Sequence, residues 1–88
     1  MRFKELFVSR KDRFSVGIEE TNNIYYVSIP VSNGRIEFEE YYQVGPDVLE
    51  KIALGQANFL KTTVEACRSR KMDQFLIVKP GKKRGSPI

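Results

Sequence analysis

The sequence predicts an α+β fold in which one long or kinked helix packs on the inner face of an antiparallel three- to four-stranded β-meander. Three runs between residues 14 and 44 alternate apolar and polar side chains, which is typical of half-buried antiparallel strands. Asn33-Gly34 lies between the second and third runs, and this pair strongly favours a hairpin there. After Pro46 the apolar residues recur at helical spacing instead. Strands therefore precede a helix, as an α+β fold requires.

The register of the strands can be tested by side-chain parity, because a slip of one residue turns a whole strand over. The three runs cover residues 14–20, 24–31 and 36–44. Pairing Thr21 with Ile24, and Val31 with Ile36, puts the apolar residues of all three runs on one face. We therefore expect a self-consistent meander with an apolar inner face and a polar outer face.

Pro30 constrains the second hairpin because proline has no N–H for a sheet ladder. A two-residue turn at Asn33-Gly34 would put Pro30 at a hydrogen-bonding site beside the turn. A four-residue loop, residues 32–35, turns Pro30 toward the end of the first run, where a missing bond costs less. We predict the four-residue loop, and a bulge at Pro30 is the alternative.

A helix is expected to begin near Pro46 and Asp47, which suit the first helical turn. Gly55-Gln56 interrupts its apolar pattern, which leaves one kinked helix or two short helices open. Residues 75–78 have the composition of a short buried strand, which predicts a C-terminal strand. The N-terminal segment fits either a helical turn or a strand that leads to a turn at residues 9–12, and the strand is favoured.

The predicted organisation is a single α+β domain over residues 1–80 and a basic, disordered tail over residues 81–88. The predicted core combines the inner strand positions, the helical stripe and the last strand. It comprises Val16, Ile18, Tyr25, Val27, Ile29, Val31, Ile36, Phe38, Tyr42, Leu49, Ile52, Phe59, Leu60, Val64, Phe75 and Ile77.

Location is predicted from cysteine content and apolar runs. Cys67 is the only cysteine, so no internal disulfide can form and a reducing compartment is expected. The longest apolar run, residues 75–78, is far shorter than the ~20 residues that span a bilayer. We expect no signal segment, no membrane partner and a cytoplasmic location.

Catalytic and metal chemistry find little support in the composition. The chain has no histidine, and one cysteine cannot build a zinc site. Glu37, Glu39 and Glu40 alternate between sheet faces, so they cannot converge on one cation. We therefore expect no enzyme activity, no cofactor and no metal.

Glu40 is the exception to be tested, because its parity places it on the inner face. Burial would raise the pKa of its carboxyl group and could make it an acid. Alternatively, Glu40 lies near the sheet edge or pairs with a base from the N-terminal segment or the helix.

The charge is strongly polarised along the chain. Residues 1–13 carry a net +3, residues 14–50 a net −6 and residues 51–88 a net +7. An acidic sheet region between basic ends is informative about binding partners.

The outer sheet face is the predicted binding surface for a protein partner. Tyr26 and Tyr41 are expected to pair across it beside carboxylates, and tyrosine is enriched at protein interfaces. The predicted partner-binding residues are Glu19, Tyr26, Glu37, Glu39 and Tyr41. A small protein-interaction or regulatory module follows, and a homodimer through an exposed sheet edge is one form it could take.

Nucleic-acid binding through the basic C-terminal third is the alternative function. Bases at the helix end and after the last strand could together form a phosphate-binding patch. The residues of this patch would be Arg68, Arg70, Lys71, Lys79, Lys82, Lys83 and Arg84. Carboxylates on the outer face would repel a phosphate backbone, which favours the protein partner.

Overall fold

The sheet and helices follow one another in the predicted order. The computed structural model describes residues 1–55, 58–81 and 84–88. Its strands are β1 (Phe3–Ser9), β2 (Phe14–Glu19), β3 (Ile24–Ser32), β4 (Glu37–Gln43) and β5 (Ser86–Pro87). Its helices are α1 (Val48–Ala53) and α2 (Asn58–Arg68), with a 3-10 helix over Asp73–Phe75. The strands form one antiparallel sheet in the order β1-β2-β3-β4, and β5 pairs with β3. The α+β class and the four-stranded meander are confirmed.

The faces of the strands are as predicted, but both predicted registers are wrong by two residues. Val31 pairs with Phe38, and Val16 pairs with Val27. A shift of two residues conserves the faces, so parity alone cannot detect it. At the second hairpin the Asn33 side chain selects the register, since its Oδ1 accepts the N–H groups of Arg35 and Ile36 at 3.0 and 3.1 Å. The loop has four residues, as predicted, but it spans 33–36 instead of 32–35.

Pro30 lies in the part of β3 that extends beyond the start of β2. The β2–β3 ladder ends at the pair Ser15–Ser28. Past that point the carbonyl oxygen of Pro30 accepts the N–H of Ile88 at 3.2 Å. The missing N–H therefore costs no bond to β2, as expected, and β5 extends the sheet along the length of β3 that β2 leaves open.

The predicted long or kinked helix is matched only in part, because the structure has the separate helices α1 and α2, the alternative that the interrupted pattern left open. Helix α1 ends at Ala53 with Leu54 as its C-cap, and Gly55 follows with φ +74°, a conformation that favours glycine. Gln56, the second residue of the predicted interruption, and residue 57 lie outside the described residues. Leu60, Val64 and Cys67 form the buried stripe of α2 against the sheet.

The prediction of a strand at residues 75–78 is wrong, because the structure has no strand there. The N–H groups of Phe75 and Leu76 bond to the carbonyls of Met72 and Asp73, which closes the 3-10 helix. Only Leu76 then bridges to Tyr42, and the N–H of Ile77 reaches the carbonyl of Tyr41 at 2.9 Å. The C-terminal strand is instead β5, through which the predicted tail pairs with β3.

The apolar core lies between the inner sheet face and the helices. Its buried members are Phe14, Val16, Val27, Ile29, Val31, Tyr42, Val48, Leu60, Val64 and Cys67. Three predicted core residues are exposed instead: Ile36 by 61%, Phe59 by 38% and Phe75 by 42%. Ile36 left the core because the register shift moved it into the loop. Among the described residues, no helix is both long and apolar enough to span a bilayer.

The N-terminal segment forms the edge strand β1, as predicted. It pairs with β2, and its register is irregular between Glu5 and Phe7. Phe7 contacts Phe14 with ring centroids 6.0 Å apart, and it packs against the core. Strand β1 also carries Phe3 and Glu5 to the outer face, where they build the candidate site.

Candidate functional site

An aromatic cluster covers the centre of the outer sheet face. It consists of Phe3, Tyr26 and Tyr41, which come from β1, β3 and β4. The rings of Phe3 and Tyr41 stack with centroids 3.7 Å apart at 14°, and Tyr26 meets both of them edge-on at 5.5 and 5.0 Å. The predicted contact between Tyr26 and Tyr41 is therefore present, and Phe3 is an addition that the strand alternation did not reveal.

Tyr26 is buried, although we expected it to be exposed for a partner. It is only 1% exposed, and burial raises the pKa of its phenol to about 12. Its ring lies over Gly17 on the neighbouring strand, where an added Cβ would come within 2.6 Å of the Tyr26 hydroxyl. A glycine within a strand often marks such a close approach, and this was the available sequence signal.

Glu19 is also buried, contrary to its predicted place in the partner-binding surface. It is 0% exposed, and its carboxylate accepts the N–H groups of Thr21 and Asn22 at 2.7 and 3.2 Å. The side-chain amide of Asn22 donates a third bond at 3.3 Å. Glu19 therefore stabilises the β2–β3 turn, and the polar run Thr21-Asn22-Asn23 was the signal for this role.

Glu37 and Glu39 lie together in an outer groove of about 470 Å³. The groove lies beside the start of β2, and Glu5 and Val8 of β1 also line it. Arg10 and Arg13, from the β1–β2 turn, line it as well. We call these six residues the acidic groove: Glu5, Val8, Arg10, Arg13, Glu37 and Glu39. The three carboxylates make its charge negative despite the two arginines.

Two of the three carboxylates of the acidic groove accept hydrogen bonds from serine hydroxyls. Ser15 donates to Glu5 at 2.9 Å, and Ser28 donates to Glu39 at 3.4 Å. Burial raises the pKa of Glu39, the Ser28 hydrogen bond partly offsets that, and the negative charge of Glu5 raises it further. Within the described ranges, none of the ion pairs includes a carboxylate of this groove. The groove can therefore accept a positive charge from outside the chain.

Tyr41 connects the aromatic cluster to the acidic groove. It is half-buried, and burial raises the pKa of its phenol, with the charges of Glu39 and Glu5 adding to the effect. Glu37, by contrast, is exposed at the first position of β4. Of the five predicted partner-binding residues, Glu37, Glu39 and Tyr41 are thus brought together and remain at least partly accessible.

Glu40 lies on the inner face, as parity predicted, and is 5% exposed. Arg84 donates to both of its oxygens at 2.6 and 3.1 Å, Tyr42 donates at 3.0 Å, and Arg70 forms a further ion pair with it. Burial would raise the pKa of Glu40, but the hydrogen bonds from Arg84, Tyr42 and Arg70 together lower it. The prediction of a raised pKa for Glu40 is therefore wrong. Glu40 does pair with bases, but Arg70 follows the end of α2 and Arg84 comes from the C-terminal segment, which the predicted alternative did not include.

The three arginines of the predicted phosphate patch donate to acceptors of the chain itself. Arg68 donates to the carbonyls of Asp12 and Arg13 at 3.0 and 3.2 Å. Arg70 and Arg84 bind Glu40, as described above. Lys71 and Lys79 are exposed, and Lys82 and Lys83 lie outside the described residues.

Metal and thiol chemistry gain no support from the side-chain geometry. No group of three metal-ligating side chains converges among the described residues. Cys67 is buried, and burial raises the pKa of its thiol to about 12, with the charges of Asp73 and Glu40 adding to the effect. The thiol is therefore protonated at neutral pH.

Comparisons with known proteins leave the function to be argued from the site itself. No protein-family model, no curated protein and no solved structure matches this chain.

Proposed function

We propose that this protein is a small non-catalytic interaction module that binds a protein partner through the acidic groove and the adjoining Tyr41. The observation that supports this most directly is the set of groove carboxylates, Glu5, Glu37 and Glu39, which no cation of the described chain neutralises by an ion pair. The contrast with Glu40 is informative, since that carboxylate has two arginine partners.

The lining of the groove indicates the kind of partner segment that would fit. A lysine or arginine side chain would be attracted to Glu39 and Glu5, whose own repulsion a bound cation would relieve. Val8 is 49% exposed beside them and offers an apolar contact. Arg10 and Arg13 would favour an acidic group in the same segment. The partner is therefore a segment that carries a basic residue next to an apolar one.

The proposed recognition can be tested with an array of random twelve-residue peptides probed by the 88-residue chain. We expect the bound peptides to be enriched in lysine or arginine, and we expect their binding to weaken as salt is raised. The double variant Glu37→Gln with Glu39→Gln should lose most of this binding. A matched control, Glu50→Gln with Glu65→Gln, removes the same charge from exposed helix positions and should retain it.

Equal binding by the groove variant and its control would contradict the proposal. The same experiment can include random-sequence oligonucleotides at low salt. Binding of oligonucleotides that is lost on Lys71→Gln with Lys79→Gln, and unaffected by the groove variant, would support nucleic-acid binding instead. We rank that function second because Arg68, Arg70 and Arg84 donate to acceptors of the chain itself.

Location and self-association remain parts of the proposal. The single cysteine supports the cytoplasm as the compartment. A homodimer would form most readily through β1, the edge strand on which Leu6 is 46% exposed.

A further inference from the structure

The C-terminal residues 84–88 are bound to the rest of the chain by polar groups on its inner side. Arg84 donates two hydrogen bonds to Glu40, at 2.6 and 3.1 Å, and two to Asp73, at 2.7 and 2.9 Å. The guanidinium group of Arg84 thus forms a bidentate contact with each of two carboxylates. This geometry is specific for arginine, because the single ammonium group of lysine cannot reproduce it.

The residue after Arg84 must be glycine. Gly85 has φ +84°, and an added Cβ would lie 2.3 Å from the carbonyl oxygen of Ser32. Its own carbonyl accepts a hydrogen bond from Arg70 at 2.8 Å. The main chain at position 85 therefore lies so close to β3 that a residue with a Cβ atom would not fit there.

The last three residues are recognised mainly through their backbone. Ser86 pairs with Ser32, and Pro87 pairs with Val31, in an antiparallel ladder. The N–H of Ile88 donates to Pro30 at 3.2 Å, and Arg68 donates to the Ile88 carbonyl at 3.5 Å. An extended peptide that adds a strand to an open sheet edge makes this same kind of contact.

Apolar burial contributes little to holding this segment. No described residue after Leu76 belongs to the apolar core or to the half-buried residues packed against it. If the segment leaves, Glu40 retains Arg70 as a partner but loses Arg84, and Asp73 loses Arg84 as well. The vacated carboxylates would then favour another arginine, because an uncompensated buried charge is costly.

We propose that this cleft, formed by Glu40, Arg70, Asp73 and the end of β3, is a binding site for extended peptides that contain an Arg-Gly pair. The chain's own residues 84–88 occupy it as an internal ligand, and an external segment of the same chemistry can replace them. The cleft binds through Glu40, Arg70 and Asp73, whereas the acidic groove binds through Glu5, Glu37 and Glu39; Ile88 of the tail and Pro30 of β3 also line the groove. Variants of the groove carboxylates therefore separate this proposal from the proposed function.

The test uses the 88-residue chain and a fluorescent peptide that copies residues 79–88. The Gly85→Val chain cannot seat its own tail, because the new side chain meets the Ser32 carbonyl. We expect it to bind the peptide at least roughly tenfold more tightly than the wild type does, since a tethered tail competes at an effective concentration on the order of millimolar. Peptides with Arg84→Ala or Gly85→Val should lose at least about tenfold in affinity.

The matched control is Gly81→Val, which makes the same substitution in the same tail. An added Cβ at Gly81 has no heavy atom within 4 Å, so this chain should bind the peptide as weakly as the wild type. Glu39→Gln in the acidic groove should not change peptide affinity in the Gly85→Val chain. Equal peptide affinities for the Gly85→Val and Gly81→Val chains would overturn the proposal.

A second measurement decides the matter if Gly85→Val does not fold. Isotope-labelled wild-type protein is titrated with millimolar unlabelled peptide and followed by NMR. Displacement of the tail should move the amide signals of Ser86 and Ile88 toward positions typical of a free chain. Unchanged signals with the wild-type peptide, or equal changes with the Arg84→Ala peptide, would refute the site.

Discussion

Glu39 and Glu40 are adjacent in β4, but they belong to two regions of opposite character. Glu39 faces the outer groove, where burial and the charge of Glu5 raise its pKa and a serine hydroxyl offsets the shift only in part. Glu40 faces the helices and is 5% exposed, yet the hydrogen bonds of Arg84, Tyr42 and Arg70 lower its pKa. The comparison shows that the partners of a buried carboxylate, more than burial itself, decide the direction of its pKa shift.

The two faces of the sheet obtain their contacts in different ways. On the outer face, strands supply both the aromatic cluster and the groove. On the inner face, Glu40 binds Arg70 and Arg84, which lie 30 and 44 residues further along the chain. Arg84 in turn binds Asp73. The inner site is therefore saturated with partners from the chain, whereas the outer site retains capacity for a partner from elsewhere.

The largest predicted effect is on the inner face. Glu40→Ala leaves Arg70 and Arg84 close together without their shared carboxylate, and we expect a loss of about 3 kcal/mol in the free energy of unfolding. Urea unfolding at pH 7 measures this loss. Glu37→Ala, on the exposed side of the same strand, should change stability by no more than about 0.5 kcal/mol. Similar values for the two variants would mean that the inner ion pairs do not stabilise the fold.

A smaller effect is predicted on the outer face. In Gly17→Ala the new methyl group would lie 2.1 Å from the carbonyl oxygen of Lys4 and 2.6 Å from the Tyr26 hydroxyl. Displacing β1 and the Tyr26 ring should cost about 2 kcal/mol. Thermal or urea unfolding would report it, with Gly81→Ala as the control because its added methyl group meets no atom within 4 Å. A neutral result for Gly17→Ala would show that β1 can move away from β2 at little cost.

The smallest predicted effect is the pH dependence of stability, which should differ between Glu39 and Glu40. The pKa of Glu39 is raised in the fold, so its ionised form disfavours folding; Glu39→Gln should stabilise the protein at pH 7, by no more than about 0.5 kcal/mol. That gain should vanish near pH 3, below the unfolded pKa of about 4.3, where both states are protonated.

Glu40 has the opposite sign, because its folded pKa is lowered. Its contribution to stability is present above about pH 4.3 and is lost as pH falls through the lowered pKa. Unfolding free energies of the wild type, Glu39→Gln and Glu40→Gln from pH 3 to 7 would reveal both trends. Parallel pH profiles for the two variants would show that the two sites do not differ.

The strands, and the faces of their side chains, could be predicted because both depend on local alternation. The placement of Val16, Val27 and Tyr42 on one inner face followed from parity alone. Register could not be predicted in the same way, because a shift of two residues keeps every face and only a specific contact selects between the alternatives. The Asn33 side chain provides that contact at the second hairpin.

The candidate site was predictable only in part. Glu37, Glu39 and Tyr41 lie on the expected face, whereas Tyr26 and Glu19 proved to be covered or bonded within the chain. Glu5 entered the groove from β1, a segment whose conformation the sequence left ambiguous. Exposure depends on what the neighbouring strand brings, and alternation within one strand does not contain that information.

The sequence by itself determined the order of strands and helices, the parity of the sheet and the absence of histidine chemistry. Each of these depends on residue identity or on spacing of a few positions. The tertiary structure decided the docking of residues 84–88, the partners of Glu40 and the acceptors to which the arginines donate. Those contacts join residues up to 56 positions apart, and their formation depends on which groups folding brings together in a partly dehydrated interior.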